Sequence, residues 1–411
     1  MPMKRHSCIL IGFAFLLNGC ALFERSPSRD QTFDGDLAFL QQHVDFVLLH
    51  DPSTAAQVVV VPAYQGRVMT STLDGNISFG WINDGLIASG KRVPHINAFG
   101  GEDRFWLGPE GGQFAIFFPT NTPFTFENWQ TPAIIDAIPY AVSAKSQTRI
   151  TFQASGSLQN WSGTAFTFDI ERTIELLRQP RVETLLQVKL PRRVSFVAFE
   201  SRNQLTNRDE AAWTEAGGLL SIWILGMFRP SPQTTVAIPF RPGPISRLGP
   251  PVNDRYFGNV PPDRLIVEAD RLFFRADGRH RSKIGISPAR ALPIAGSYDA
   301  GNQVLTLVQY SRPGGVNTYV NSMWEYQDEP FGGDVVNAYN DGPVNGGKPL
   351  GPFYELETSS PAVELPPDSR LVHIHRTFHF SGPINDLNAL AEKTLGIPLH
   401  AITNAFAMQE D

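Results

Sequence analysis

From residue 55 onward, short apolar runs alternate with clusters of Gly, Pro, Asn and Asp. Runs such as "RITFQAS", "TAFTFDIERTIELL", "TTVAIPF" and "NQVLTLVQY" are rich in Val, Ile, Thr and Phe. Runs of this kind, bounded by turn residues, predict antiparallel strands of a sandwich or barrel. "QVVVVP" (57–62) has no polar interruption and predicts a central strand buried on both faces. "GGLLSIWILGMF" (217–228) is more apolar still, yet too short to cross a bilayer as a helix, so it predicts a buried strand. Ahead of these, "DLAFLQQHVDFVLLH" (36–50) sets Leu37, Leu40, Val44, Val47 and Leu48 at helical spacing and predicts one amphipathic helix. The tail predicts a helix from about 385 to 395, broken around Gly396 and Pro398. In "RLVHIHRTFHF" (370–380), His373, His375, Thr377 and His379 share a face. Leu371, Ile374, Phe378 and Phe380 do not all share the other, which predicts a bulge near Arg376. No solenoid or propeller period recurs, and no linker follows residue 34. The pattern predicts one mostly β domain over 34–411: a large antiparallel β-sandwich with a short helix at each end.

Composition narrows the function. Of 411 residues, 42% are hydrophobic and 18% charged, enough to bury a sizeable core. The formal net charge is −6, and no basic patch with interleaved aromatics occurs, which argues against nucleic acid as a partner. The N-terminus, "MPMKRHSCILIGFAFLLNGC", places Lys4, Arg5 and His6 before an apolar run from Cys8 to Leu17. That is the charged and apolar order of a signal peptide. Leu17-Asn18-Gly19-Cys20 looks like a bacterial lipobox. Residues 1–19 are then a signal peptide, Cys20 the lipidated residue, and 20–33 a tether. Several acyl chains would hold the protein on a membrane. An ordinary secretory signal with a chance cysteine is the other reading. Ala21 after Cys20, in place of Asp, points to the outer membrane of a bacterial cell envelope. The only other cysteine, Cys8, lies within the signal, which excludes cysteine-based zinc and nucleophile chemistry from the mature chain.

Phosphate-loop, nucleophile-elbow and His-Glu-x-x-His motifs are absent from the sequence. "GGEDRFWLGPEGG" (100–112) sets Glu102, Asp103, Arg104, Trp106 and Glu110 among five glycines. Glycine lets backbone approach a ligand closely. Aromatic faces stack on the C–H face of a sugar, and carboxylates and Arg bond its hydroxyls, so these five are candidate carbohydrate-binding residues. Trp81, His95, Asn97, Trp129 and Gln130 flank them. An irregular loop whose charges pair internally is the alternative. A second polar cluster, 320–343, contains Asn321, Trp324, Asp334, Asn337, Tyr339, Asn340 and Asp341. Calcium would draw on the same oxygen atoms, but the spacing matches no EF-hand. Of the three histidines of 373–379, His375 and His379, at i and i+4 of a strand, lie ~13 Å apart. The three cannot all reach one ion, and solvent-facing or hydrogen-bonded histidines are expected.

In "LGPFYELETSSPAVELPP" (350–367), strand alternation puts Phe353, Glu355 and Glu357 on one face and Tyr354 and Leu356 on the other. Two carboxylates about 7 Å apart raise the pKa of one of them, and a raised carboxyl suits a general base near neutral pH. A structural glutamate paired with Arg104, Arg202 or Arg376 is the alternative.

Residues 355–380 resemble the closing segment of the galactose mutarotases and related aldose 1-epimerases. Leu356-Glu357-Thr358, Leu365-Pro366-Pro367 and Phe378-His379-Phe380 stand in that segment's places. "VPAYQGRVMTST" (61–72), "INAFGGEDRF" (96–105) and "SRNQLTN" (201–207) resemble earlier family segments, in the family's order. The resemblance implies a galactose mutarotase-like supersandwich with an open sugar-binding cleft and cofactor-free mutarotation. In that reaction a base takes the anomeric proton, an acid protonates the ring oxygen, and the ring opens and recloses. By position, Glu357 is the base. Arg208 stands where the family's acid histidine follows Leu-Thr-Asn, and Phe99 where a second histidine precedes Gly-Gly. His95, Glu102 or Asp341 is then left as the acid, with Glu355, Asn340 and Trp129 completing the binding set. The expected activity is aldose 1-epimerase-like, on an envelope lipoprotein. A non-catalytic carbohydrate-binding or structural lipoprotein is the alternative.

Overall fold

The computed structural model describes residues 32–343 and 347–406. Cys20 and the segment read as signal peptide lie outside the described residues. The first helix, Phe33–His43, is opened by Thr32, whose hydroxyl accepts the Gly35 N–H and so satisfies a free donor of the first turn. It ends at His43 and does not continue to residue 50. Val44 is already extended, and Val47–His50 forms strand β1. Val47 and Leu49 pack into the sandwich core while Leu48 packs towards the helix. A strand with apolar contacts on both faces reads as an unbroken apolar run, and this run happens to continue the helix's phase.

β1 pairs with β2 (Gln57–Val61), which pairs with β3 (Arg67–Thr72), giving a three-stranded antiparallel sheet. Val58 to Val61 are buried on both faces, as their uninterrupted pattern predicts. β4 (Arg104–Gly108) opens a second sheet. β5 (Ala141–Lys145), β6 (Arg149–Gln159), β7 (Ala165–Leu176) and β8 (Ser195–Asn207) form one side of a third. β9 (Ser221–Phe228) returns to the second sheet and is buried throughout. β10 (Thr234–Pro239), β11 (Leu265–Val267) and β12 (Arg271–Arg275) belong to the third. β13 (Ser282–Ile286), β16 (Val336–Asn340) and β17 (Tyr354–Ser359) complete the second, and β14 (Ile294–Asp299), β15 (Val304–Tyr310) and β18 (Arg370–Ser381) the third. The result is a five-stranded sheet in the order β13-β16-β17-β9-β4 facing a ten-stranded sheet in the order β11-β12-β10-β14-β15-β18-β8-β7-β6-β5. Among the described residues the pairings between these strands are antiparallel, as expected for a large β-sandwich.

The core lies between these two sheets. Phe105, Ile222, Ile224, Ala338 and Leu356 of the small sheet meet Phe168, Ile170, Val236, Val308 and Leu205 of the large one. Helices Ile384–Leu395 and Leu399–Asn404 cover the back of the large sheet with Leu387, Leu390, Leu395 and Ile402, against Leu305, Leu307, Phe378 and Phe380. Gly396 (φ 69°) and Pro398 separate the two helices.

β18 pairs without interruption with both β15 and β8, so no bulge occurs at Arg376. Leu371 shares the inner face with the histidines, while Ile374, Phe378 and Phe380 face the other side. Both faces of this strand bury apolar groups, so mixed apolar positions do not require a slip in register. The histidines are hydrogen-bonded. Thr358 Oγ1 lies 2.8 Å from both His373 Nε2 and His375 Nδ1, and His379 Nε2 lies 2.9 Å from Glu102 Oε2.

Candidate functional site

Strand register assembles a polar group on the outer face of the five-stranded sheet. On β17, Glu357 lies opposite Asn337 of β16 and Leu225 of β9, and Glu355 lies opposite Tyr339 and Met227. Tyr339 is opposite Lys283 of β13, Leu225 opposite Arg104 of β4, and Trp223 opposite Trp106. Side chains of directly opposed residues share a face, and the face changes with each residue along a strand. Lys283, Asn337, Tyr339, Glu355, Glu357, Trp223, Arg104 and Trp106 therefore face one way, and Leu356, Ala338 and Ile224 face the core.

The two glutamates are held differently. Glu357 Oε2 accepts from Lys283 Nζ at 2.8 Å and from Trp223 Nε1 at 3.0 Å, with only 1% of the residue exposed. The ammonium of Lys283 also lies 4.7 Å from the Trp223 ring and 5.2 Å from the Tyr256 ring. Such cation–π contact adds to its binding. Glu355 meets Arg104 Nη2 at 3.4 Å and the neighbouring Glu357 carboxyl. Burial lifts the Glu355 carboxyl to about 8; Arg104 and Lys283 oppose the rise and the Glu357 charge adds to it. Arg104 lies 4.2 Å over the Trp106 ring, and its Nε and Nη1 have no acceptor among the described residues. Glu110, beside Lys283 and Glu357, is also raised by burial. At the other edge Tyr256 donates to Asp334 Oδ2 at 2.7 Å, Asn253 Nδ2 to the same oxygen at 2.9 Å, and Asn337 Nδ2 to Tyr256 at 3.2 Å.

A hairpin-like segment covers this face. Tyr319 N–H donates to Phe331 O, Asn321 N–H to Pro330 O and Gly333 N–H to Tyr319 O. Its tip is tied down by Glu110 N–H to Ser322 Oγ (3.2 Å) and by Gln113 and Gln327, each donating to the other at 2.9–3.0 Å. Trp324 stacks on Trp129 at 5.9 Å and meets Phe118 edge-on at 5.2 Å. The glycines of "GPEGG" serve this packing. A Cβ on Gly111 would fall 2.3 Å from Met323 O, and one on Gly112 would fall 2.5 Å from the Gln327 side chain. They admit the hairpin, where the sequence suggested the approach of a ligand. Between Trp223, Tyr256, Lys283, Asp334 and Asn337 about 20 Å³ remains, room for roughly one water. The resemblance implies an open cleft; here the face is closed.

Of the residues singled out from the sequence, Arg104, Trp106, Glu355 and Glu357 come together, with Glu110 and Trp129 adjoining beneath the hairpin. His95 lies beyond Trp129, its Nδ1 against the Trp129 carbonyl and its ring 4.4 Å from Phe126. Asp341 accepts from Tyr339 at 2.7 Å and from Gly351 N–H at 2.9 Å, and is raised by burial. Tyr339 links it to the face. Glu102 and Asp103 point into the sandwich instead. Glu102 Oε2 meets His379 Nε2 and, at 3.0 Å, Ser71 Oγ; Asp103 Oδ1 meets Arg172 Nη2 at 2.6 Å. Asp103 precedes the outward Arg104 by one residue and so takes the opposite face. Asn340 is likewise inward, accepting from Gly278 N–H at 2.7 Å and donating to His280 O at 2.9 Å. Arg208 is exposed at an end of the large sheet, paired with Asp169 and Asp368. Lys283 and Tyr256 escaped notice in the sequence. "SKIGI" marks Lys283 only as an outward position, and its partner lies 74 residues away.

The fold and the chemistry of this face can be set beside known proteins. Residues 31–406 match the family of unknown function DUF6786. The chain belongs to this family. No curated protein matches its sequence. Among solved structures, the Slr1438 protein of Synechocystis sp. PCC 6803 aligns with a TM-score of 0.51 at 12% identity, over 83% of this chain and 96% of that one. A galactose mutarotase-like protein from Lactobacillus casei ATCC 334 gives 0.45 at 11%, over 82% and 99%. A galactose mutarotase related enzyme from Lactobacillus acidophilus gives 0.43 at 8%, over 82% and 97%. At such identity the likeness to Slr1438 is one of fold. In this DUF6786 chain the chemistry has to be argued from its own residues.

Proposed function

We propose that the chain binds a carbohydrate on the outer face of the five-stranded sheet and interconverts its anomers, with Glu357 as the base. The observation that carries this reading is the Glu357 carboxylate, fixed at the centre of a face lined by Trp106, Trp223, Arg104 and Asn337. Aromatic rings and fork-shaped donors are what a sugar's apolar face and hydroxyls require. Lys283 and Trp223 hold one Glu357 oxygen in place, as a proton-abstracting base must be held. The resemblance of Leu356-Glu357-Thr358 to a mutarotase segment supports the same reading. A sugar enters when the 319–333 segment lifts, and its return excludes water from the opened ring.

The test is anomer exchange followed by NMR. The wild-type protein accelerates it. Glu357→Gln lowers the rate by ~100-fold or more while sugar still protects the tryptophan fluorescence from quencher. Unchanged turnover in Glu357→Gln removes the base assignment.

One observation favours a second reading, a non-catalytic carbohydrate-binding protein: the 2.8 Å contact with Lys283 already occupies the Glu357 oxygen. Saturable sugar binding with no change in exchange rate selects it. We further propose that lipid on Cys20 anchors the protein to the bacterial envelope, facing the periplasm or the surface. The support is the Leu-Asn-Gly-Cys sequence after an apolar run. Cys20→Ala should shift the protein out of the membrane fraction and remove the acyl mass from its N-terminal peptide.

A further inference from the structure

The strand that carries Glu357 carries a second buried carboxyl on the same face, two residues earlier. Glu357 holds two donors on one oxygen within 3.0 Å, one of them a cation. Glu355 meets Arg104 at 3.4 Å, the outer limit of a hydrogen bond, and the Glu357 carboxyl beside it. Arg104 is itself 3% exposed, yet two of its nitrogens lack acceptors among the described residues. Buried donors are normally paired, so this guanidinium has capacity its protein partners do not use. Tyr339 on β16 and Met227 on β9 lie opposite Glu355, and Lys283 lies beyond Tyr339; Arg104, Glu357 and Lys283 are the charges that act on it, with Glu110 beside Lys283 and Glu357, and Asp341 bonded to Tyr339.

We propose that Glu355 is the acid that partners Glu357 and that Arg104 is the positioning residue that stabilises its carboxylate once the proton has left. The inference rests on reading this face as an anomer-exchange site. The anomeric oxygen O1 and the ring oxygen O5 are both bonded to C1, so a base and an acid standing close together can serve both. Carboxyls at i and i+2 of one strand, ~7 Å apart at the backbone, meet that demand. Glu357 takes the proton from O1, and the freed electron pair forms the C1=O bond. The C1–O5 bond breaks, and its pair takes the proton of Glu355. After rotation about C1–C2 the steps reverse: O5 returns its proton to Glu355 as it attacks C1, and O1 regains one from Glu357. Nothing else is consumed.

The scheme needs one carboxyl ionised and its neighbour protonated at neutral pH. Burial lifts Glu355 to about 8, and Lys283 and the Trp223 N–H make the contacts a carboxylate accepts at Glu357. Two carboxyls in unlike surroundings can divide the acid and base roles between them.

The experiment measures anomer exchange of D-galactose, D-glucose, D-xylose and L-arabinose by NMR from pH 5.5 to 9.5, with infrared spectra of the protein alone. Glu355→Gln should lose ~100-fold or more in exchange and lose a protonated-carboxyl band that the wild type shows at pH 7. The wild-type rate should fall as pH rises through about 8. In Arg104→Gln that fall should move to higher pH, because Arg104 draws the Glu355 proton off. The wild-type spectrum and pH profile stand even if a variant folds poorly. Glu355→Gln exchanging at the wild-type rate while Glu357→Gln does not overturns the acid and leaves the base. A wild type that accelerates none of the four sugars overturns both.

Discussion

Lys283 Nζ lies 2.8 Å from Glu357 Oε2 in a cage closed by the Trp223 indole, with the two side chains 11% and 1% exposed. A buried pair of this kind gains little over an apolar replacement, but removing one partner leaves an uncompensated charge, at a cost of ~3–5 kcal/mol. Lys283→Met should therefore destabilise the protein by up to that amount at pH 7, read by urea unfolding. The double variant Lys283→Met/Glu357→Gln should recover most of it. Equal losses in the single and double variants would show that Lys283 matters for its packing alone.

A second set of buried groups ties stability to pH. Burial lowers His373 to about 3, with the His375 charge adding, and lowers His375 to about 4. The single Thr358 hydroxyl between them donates to one neutral ring and accepts from the other. Unfolded, both histidines take protons near their ordinary value of 6.5. Between pH 6.5 and 4 the unfolded chain thus binds more protons, and stability falls with falling pH. Glu355 has the opposite sign. Its folded value of about 8 against an ordinary 4.5 gives stability that is full below 4.5 and lost as pH rises to 8. The urea midpoint should rise from pH 4.5 to 6.5 less steeply in His373→Asn/His375→Asn than in the wild type, and Glu355→Gln should lessen the decline from 6.5 to 8. Parallel wild-type and variant curves would contradict both assignments.

How much of this was legible in the sequence follows from how local each signal is. The alternation of 354–359 is a property of six neighbouring residues, and Glu355 and Glu357 do share a face. β9 needed only an uninterrupted apolar run to declare itself. β1 was hidden because its identity comes from pairing with β2; its own residues match a helix and a strand equally well. The loop reading of 100–112 failed at Glu102 and Asp103 because their partners, His379 and Arg172, are distant in sequence. Acidic residues beside glycines look solvated when those partners are unknown. Lys283 reaches Glu357 through the β13-β16-β17 register, which no motif encodes.

Glu102 and Asp103 should accordingly act on stability and not on sugar binding. Asp103→Asn leaves the Arg172 guanidinium, fully buried with its partner, without its counter-charge, and should cost ~3–5 kcal/mol. Sugar affinity of the folded fraction, measured by fluorescence titration at 10 °C, should stay within about twofold of the wild type, the spread usual for a change with no contact to the ligand. A variant that folds with unaltered stability but binds no sugar would return Asp103 to the site.

The hairpin over the face gives a final prediction. Gly111 touches the hairpin through backbone: a Cβ there would stand 2.3 Å from Met323 O and 2.8 Å from Ser322 O. Carbonyl groups cannot swing aside as a flexible side chain can, so Gly111→Ala must lift the hairpin or shift the 109–113 turn. Lifting breaks the Glu110 N–H bond to Ser322 and the Gln113–Gln327 exchange and weakens the Trp324 stack on Trp129. Hydrogen exchange should quicken at Asn321 and Gln327 amides while β9 and β17 keep their protection, since the sheet beneath does not depend on its cover. If the closed cover limits entry, the same variant should speed sugar association. Faster exchange throughout β9 and β17 would mean instead that the hairpin is part of the sheet's own stability.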